Sequence, residues 1–383
     1  MTSFTPLIDS LPATVPFVGP EAILRRSGIP MRARIGANEN VFGPSPKAIA
    51  AMQEAASESW KYGDPEVHDL RAAIARHHGI GTENVTVGEG IDGLLGIAVR
   101  LFVEPGVTVA SSLGAYPTCN FHVAGFGGRL VTAPYVNDRE DPSSLLDLAR
   151  KENARLIYFA NPDNPMGTTW KAGEVQDMID NIPAGGVLML DEAYHEFAEG
   201  TVPALDMTNP HVLRFRTFSK AYGMAGVRVG YALGHPHLIS AFDKIRNHFG
   251  VNRLGQAGAI AALADQDYLK SVQQRVARAR ERIYAIAQFN GFGCVPSSTN
   301  FVAVDCGRDG AYARRILEGL ATHGIFVRMP GVAPLNRCIR ISVGSGKLSS
   351  FSPSSLNRSM NFGRMNVTRK VTMPTATIMT STG

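Results

Sequence analysis

"RLIYFANPDNPMGTTWKAGEVQDMIDNIPAGGVLMLDEAY", residues 155–194, holds two apolar runs, RLIYFANP and GVLMLDEAY, separated by a helix-length segment. That spacing suits two parallel strands joined by a crossover, because a hairpin needs only a few residues between its strands. The pattern continues outward: NVTVGEG, VTVASS and RLVTAPY lie before it, and VLRFRTFSK and VRVGYALG after it. Short apolar runs alternating with helical stretches predict an α/β fold, with a mainly parallel central sheet sandwiched by helices. Ligands of such sheets bind at the carboxyl ends of the strands, and the polar residues of this chain cluster at those ends.

Before this region, residues 1 to about 35 are Pro-rich and weakly periodic, which suggests an extended arm with one short helix near GPEAILRRSG. SPKAIAAMQEAASESW and DPEVHDLRAAIARHHGI each open with a Ser or Asp cap ahead of an apolar helical repeat, so two helices joined by a turn at KYGDP are expected. After Gly250 a long helical stretch leads into STNFVAVDCG, GIFVRMPG and CIRISVG, an α+β texture. The expected organisation is an arm over 1–40, a large domain over 41–250 and a smaller α+β domain over 251–344.

Residues 345–383 are rich in Ser, Thr and Met, contain no acid, and show little helical period. They read as a shifted reading frame or as a disordered extension.

With 383 residues, 44% of them hydrophobic and 19% charged, the chain can bury a large core. No apolar run approaches the roughly 18 to 20 residues of a membrane span. MTSFTPLIDS has neither the basic segment nor the apolar centre of a signal peptide, so a cytoplasmic location is expected. Cys119, Cys294, Cys306 and Cys338 are scattered without metal-ligand spacing and read as reduced, mostly buried residues. The formal charge of +5 comes from the tail, where Lys347, Arg358, Arg364, Arg369 and Lys370 have no acid among them. The remainder is neutral and gives no support to a polyanionic partner.

Four stretches carry candidate chemistry. Asp191 and Glu192 directly follow an apolar strand, where a carboxylate needs a cationic partner; a helix cap or a nearby Arg would also satisfy one. In ANPDNPMGT two prolines and a glycine fix a turn that presents the amide of Asn164, though tight surface turns share this composition. VGEGIDGLLG is a Gly-rich strand-to-helix junction suited to an anion such as phosphate; it lacks the Lys-Ser/Thr pair of a P-loop and the GxGxxG spacing.

In RTFSKAYGMAGVRVGYALG, residues 216–234, Thr217 and Ser219 offer hydroxyls, the small residues let backbone approach, and Arg228 can hold a phosphate by two hydrogen bonds. Lys220 sits among them and can act as nucleophile and proton carrier. Phosphate ligands, an imine-forming Lys, an Asp for a pyridinium proton and an Asn for a ring oxygen together fit pyridoxal 5′-phosphate (PLP).

In these motifs, and in GANENVFGPSP, KYGDPEVHDLR and CIRISVG, the chain resembles the fold-type I PLP-dependent aminotransferases of class I/II, most closely the histidinol-phosphate aminotransferase group. The motifs occur in family order over residues of about 30 to 344. The resemblance implies an aspartate aminotransferase-like fold, with Lys220 as the residue that binds the cofactor and later moves the substrate proton. It implies that Asp191 holds the pyridine nitrogen protonated, that Asn164 and Tyr194 meet the phenolic oxygen, and that Tyr116 stacks on the ring. The phosphate would be held by Thr217, Ser219, Arg228 and the backbone N–H groups of Glu89 and Gly90. Tyr62 would reach over from a second subunit, which makes the expected assembly a homodimer. Arg340 would grip the substrate carboxylate, with Arg328 and Asn40 as further substrate-binding candidates.

The activity implied is ping-pong transfer of an amino group from an amino donor, histidinol phosphate or an aromatic amino acid, to a 2-oxo acid such as 2-oxoglutarate. One departure bears on the donor. Where the group's histidinol-phosphate members have an aromatic hydroxyl, this arm reads FVGPEAIL, and its Glu21 would repel a substrate phosphate. Arg328 could pair with a substrate carboxylate or with Glu21. A PLP-dependent decarboxylase or lyase of the threonine-phosphate decarboxylase kind is the alternative. A non-catalytic sensor is a more remote one, since residues 1–35 are too short and Pro-rich for a DNA-binding segment.

Overall fold

In the computed structural model, residues 3–13 and 18–344 are described; the reading of the 345–383 tail lies outside them. The chain enters through α1 (Pro6–Ser10), which the sequence reading did not anticipate, and α2 (Pro20–Ser27), the expected helix at GPEAILRRSG. Pro20 opens α2 and Gly28, at φ 67°, closes it. The arm then forms a two-residue strand, β1 (Ala33–Arg34).

The next two helices differ in how they begin. Before α3 (Pro46–Ala56) the Ser45 hydroxyl accepts the N–H of Ala48 at 3.1 Å, as a cap should. Asp64 does not cap α4 (His68–His78) in that way. Its carboxylate accepts the N–H groups of Glu66 (3.0 Å) and His68 (2.7 Å), closing a turn that passes through Val67 at φ 51°. The helix therefore starts later than the Asp signal implies.

All seven apolar runs pair into one sheet: β2 (Val85–Gly88), β3 (Thr108–Ser112), β4 (Arg129–Ala133), β5 (Leu156–Ala160), β6 (Val187–Asp191), β7 (Val212–Thr217) and β8 (Gly230–Gly234). Their order is β2-β8-β7-β6-β5-β3-β4, and only β8 runs antiparallel to its neighbours. The connections include α5 (Gly90–Phe102), α6 (Pro117–Gly125), α7 (Pro142–Lys151) and α8 (Ala172–Asp180), with α9 (Pro236–Phe242) following β8.

Side chains alternate between two cores. Leu156, Tyr158, Met189 and Phe215 face α5 and α6, whereas Ile157, Phe159, Leu188 and Leu190 face α7 and α8. Burying one such large apolar side chain contributes roughly 1.5–3 kcal/mol. Because both faces are covered, β5 and β6 read as continuous apolar runs, whereas β7 carries the buried Arg214 and Arg216 among its apolar residues.

The register positions the chemistry. Ala160 lies opposite Asp191 and Asp191 opposite Phe215, so β5 and β6 end together and β7 runs two residues further, to Thr217. The residues that follow these three strands emerge at one edge.

Helix α10 (Arg253–Ala264) packs against α3 and α4, beside Phe218 and Tyr222. The long α11 (Gln266–Phe289) leads to an antiparallel sheet of β9 (Gly293–Cys294), β10 (Phe301–Asp305) and β12 (Cys338–Ser342), with β10 central. Helix α12 (Gly310–Thr322) contributes Ala313, Ile316 and Leu320 to its core. The arm joins this unit: β1 pairs in parallel with β11 (Ile325–Phe326), and Ser342 N donates to Ile35 O at 2.7 Å. Among the described residues no helix is long and apolar enough to cross a membrane, and the four cysteines are free thiols.

Candidate active site

A cavity of about 220 Å³ opens at the shared strand edge. Lys220 reaches it from the turn after β7. That turn packs tightly on the arm: Gly223, at φ 71°, has the backbone of Gly43 where a side chain would begin. Lys220 Nζ donates to Asn38 O at 3.4 Å and lies 5.5 Å from the centre of the Tyr194 ring.

Asp191, at the end of β6, lines the same cavity and is only 5% exposed. Tyr158 donates its hydroxyl to one carboxylate oxygen at 2.7 Å and Ala193 N donates to the other at 3.0 Å. Burial pushes this carboxyl up to about 6; the two hydrogen bonds and the nearby Lys220 act in the opposite sense. A cation placed against Asp191 would relieve that strain on the ionised form. Its neighbour Glu192 faces elsewhere, buried between Arg214 (2.5 Å) and Arg216 (2.8 Å). Of the two strand-end carboxylates, the Arg-paired reading describes Glu192 and not Asp191.

Tyr194 is held by Asn38 Nδ2, which donates to its hydroxyl at 3.0 Å, and it meets Phe301 edge-on with centroids 5.5 Å apart. Tyr116, at the start of α6, also lines the cavity and donates to Asp92 Oδ1 at 2.9 Å. Asn164 lines it from the turn after β5, and its side-chain oxygen accepts from Arg340.

At one end of the cavity, helix α5 begins at Gly90 with no side-chain cap from Glu89. Gly90, at φ 77°, sits where a Cβ would strike the Arg228 guanidinium. Arg228 donates to Ser219 Oγ and to Glu89 O, both at 3.4 Å, and lies 3.5 Å from Asp92. Thr217 Oγ1 accepts the Ser219 N–H at 3.0 Å. An uncapped helix N-terminus, two hydroxyls and a guanidinium around a glycine make a cradle for a phosphate group.

Arg340 lies beside the cavity on β12, 9% exposed. Besides Asn164, its guanidinium donates only weakly, to Gly36 O at 3.4 Å, and Nε is buried with no acceptor. Burial moves this group down to about 10, Tyr194 raising it and Arg328 lowering it further. A buried guanidinium with neutral acceptors and an unused N–H is suited to an incoming anion.

Eight of the expected residues therefore face one cavity: Lys220, Asp191, Asn164, Tyr194, Tyr116, Thr217, Ser219 and Arg228. Glu89 and Gly90 join them through Arg228, and Arg340 through Asn164. Three others do not line the cavity. Asn40 Nδ2 donates to Ala221 O at 2.9 Å and its Oδ1 accepts from Phe42 N at 3.1 Å, so its amide ties the arm to the Lys220 turn. Arg328 bridges to Arg340 through backbone and donates to Val18 O at 3.2 Å, while Glu21 forms its ion pair with Arg34. Tyr62 is 77% exposed and packs on Phe249 with centroids 4.6 Å apart, away from this chain's own cavity.

Sequence reasoning missed Tyr158, Asn38 and Asp92. The one available signal for Tyr158 was a hydroxyl within the apolar run LIYFA, which needs a buried partner.

The family model for aminotransferase class I and II matches residues 33–349. A histidinol-phosphate aminotransferase of Roseiflexus castenholzii is 34% identical over 88% of this chain and 93% of the relative. The crystal structure of the histidinol-phosphate aminotransferase from Sinorhizobium meliloti in complex with PLP superposes with a TM-score of 0.91, at 55% identity over 94% of this chain and 98% of that one. A mutant aspartate aminotransferase of Thermus thermophilus, 20% identical over 94% of this chain and 98% of that one, shares the fold with a TM-score of 0.77. With the lysine, the strand-end aspartate and the phosphate cradle around one cavity, this chain belongs to the class I and II aminotransferases.

Proposed function

We propose that this PLP-dependent aminotransferase takes its amino group from histidinol phosphate and passes it to a 2-oxo acid in ping-pong order. The observation that carries the reading is the placement of Lys220 and Asp191 on one cavity that ends in the Gly90–Arg228 cradle. Those residues fit PLP: a buried carboxylate for its ring nitrogen, an amine for its aldehyde, and an uncapped helix start for its phosphate. Histidinol phosphate is favoured by relatives of that name at 34% and 55% identity. Glu21, whose charge would oppose a phosphate-bearing donor, shares the guanidinium of Arg34 with Glu39.

When bound, PLP supplies an electron sink for negative charge at the carbon that carries the amino group. Lys220 Nζ would take the proton from that carbon and deliver it to the cofactor carbon on the other side of the shared nitrogen, acting first as general base and then as general acid. Asp191, oriented by Tyr158 and Ala193 N, would keep a proton on the ring nitrogen in place. Tyr194 and Asn164, which line the cavity, would meet the ring oxygen, and Tyr116 would cover the ring. Arg340 binds the substrate anion. Histidinol phosphate carries a phosphate ester where an amino acid carries its α-carboxylate, so one buried guanidinium can serve both halves of the reaction. The exposure of Tyr62 and Phe249 supports a homodimer in which Tyr62 reaches the partner subunit's cofactor phosphate.

The test is the visible spectrum of the PLP-loaded protein before and after histidinol phosphate, aromatic amino acids and glutamate. Histidinol phosphate should discharge the visible band, 2-oxoglutarate should restore it, and Lys220→Ala should abolish turnover. Response to an aromatic amino acid alone would replace the donor. Release of CO2 without an aminated cofactor would favour the decarboxylase, and a fully active Lys220→Ala enzyme would end the mechanism.

A further inference from the structure

Behind the turn that carries Asn164 lie two buried carboxyl groups with no part in the chemistry above. Glu140 is 1% exposed and Asp163 2%. Tyr135 donates its hydroxyl to Asp163 Oδ1 at 2.8 Å and Met166 N donates to Oδ2 at 3.0 Å, so both oxygens of Asp163 already accept. Ser112, at the end of β3, donates to Glu140 Oε2 at 2.7 Å, while Oε1 of Glu140 is buried with no donor beside it. The two carboxyl groups are nevertheless neighbours: Ser112, which holds Glu140, ends β3 alongside β5, Asp163 follows β5 by three residues, and each carboxyl group acts on the charge of the other. Two carboxylates cannot bond without a proton between them, and Oε1 is the atom that lacks a partner.

We infer that Glu140 is a positioning residue: it stays a neutral acid in the folded enzyme, donates its proton to the Asp163 carboxylate, and thereby fixes the turn from which Asn164 meets the cofactor. The assignment rests on the reading of Asn164 given above.

The surroundings support this direction of donation. Burial and the neighbouring Asp163 both push the Glu140 carboxyl well above the usual range. Each carboxyl group receives two donors, Tyr135 and Met166 N at Asp163 and Ser112 and the Ala160 N–H at Glu140, and Asp163 is the better equipped to carry the charge because Arg340 also lies near it. From Asp163 the constraint passes along one peptide to Asn164 and across to Arg340. Asp163 N also donates to Thr168 O at 2.9 Å and Gly167 N to Asp163 O at 3.2 Å, so the acid pair closes a turn already tied through its backbone. Trp170 Nε1 donates to Glu140 O at 2.8 Å, which fixes the other side.

Infrared difference spectroscopy of the holoenzyme at neutral pH, wild type against Glu140→Gln, tests the proton directly. The carbonyl band of a buried neutral acid should be present in wild type and absent from the variant, and identical spectra would overturn the proposal. The positioning role is read from the pH midpoint of the cofactor's visible band. Glu140→Gln retains an N–H donor and should keep that midpoint and kcat. Glu140→Ala should shift the midpoint in the same direction as Asn164→Ala, with kcat down by about 10- to 100-fold from misplacement of the ring contact. A folded Glu140→Ala enzyme with the wild-type midpoint, while Asn164→Ala shifts it, would refute the Glu140 role alone. An unshifted midpoint in Asn164→Ala would remove the Asn164 reading, and the proposal with it.

Discussion

Replacing Tyr158 by Phe removes one hydroxyl from the floor of the site and keeps the ring in a core where its exposure is 0%. The lost contact is the 2.7 Å bond to Asp191 Oδ2. A hydrogen bond to a charged group contributes about 1.5–3 kcal/mol, and one between neutral groups about 0.5–1.5. The difference, about 1–1.5 kcal/mol, is the preference of Tyr158 for the ionised form of Asp191. At 1.36 kcal/mol per pH unit, this corresponds to about one unit. Asp191, raised from 3.8 to about 6 chiefly by burial, should therefore rise to about 7 in Tyr158→Phe.

The effect on stability follows from linkage. The folded apoprotein holds the Asp191 proton more tightly than the unfolded chain does, so this residue favours folding at low pH. That contribution is lost as pH rises through the folded value of about 6. In the variant the loss extends about one unit higher. Urea unfolding of both apoproteins should show the variant destabilised by about 0.5–1.5 kcal/mol at pH 5 and about 1.5–3 kcal/mol at pH 8. An equal destabilisation at the two pH values would mean that the hydroxyl does not act on the charge of Asp191.

Arg340→Lys keeps the charge and loses the planar fork, so KM for both the amino donor and the oxo acid should rise, with kcat/KM down by about 10- to 100-fold in steady-state assays. Glu192→Ala leaves Arg214 and Arg216 buried without their carboxylate and should cost about 3–5 kcal/mol in denaturant unfolding. Burial alone would raise Glu192, but the two arginines outweigh it and hold it at about 2. The wild-type contribution should thus be intact above about pH 4.5 and be lost as pH falls towards 2. Tyr62→Phe should weaken PLP retention if Tyr62 serves the partner subunit. Mixed dimers of Tyr62→Phe and Lys220→Ala chains should then hold one site with both intact residues, and retention equal to that of the Tyr62→Phe homodimer would argue against a shared site.

The large sheet was legible because its central strands are covered on both faces, which writes β5 and β6 as unbroken apolar runs with polar residues at their ends and β7 as an apolar run broken only by two arginines. Asp191, Thr217 and Asn164 could be placed at a common edge for that reason alone. Residues whose role depends on register left no such trace. Tyr158 lies opposite Met189, one pleat before the Ala160–Asp191 pair, and its reach to Asp191 exists only once β5 and β6 are aligned. Asn38 belongs to the arm, yet it holds both Tyr194 and Lys220, elements that the chain order keeps far apart.

Residue identity is also silent about direction. Asn40 and Asn164 both read as polar residues near the cofactor, but the first turns both ends of its amide to backbone while the second faces the cavity. Asp64 carries the sequence signal of a helix cap and instead closes the preceding turn, because Val67 adopts a left-handed conformation. The carboxyl pair Glu140 and Asp163 is the extreme case: each looks like an ordinary surface acid until the ends of β3 and β5 bring them together without a cation between them. A motif therefore predicts which atoms are available, whereas packing decides which carry charge, and the Asn164 turn is where the two can be tested against each other.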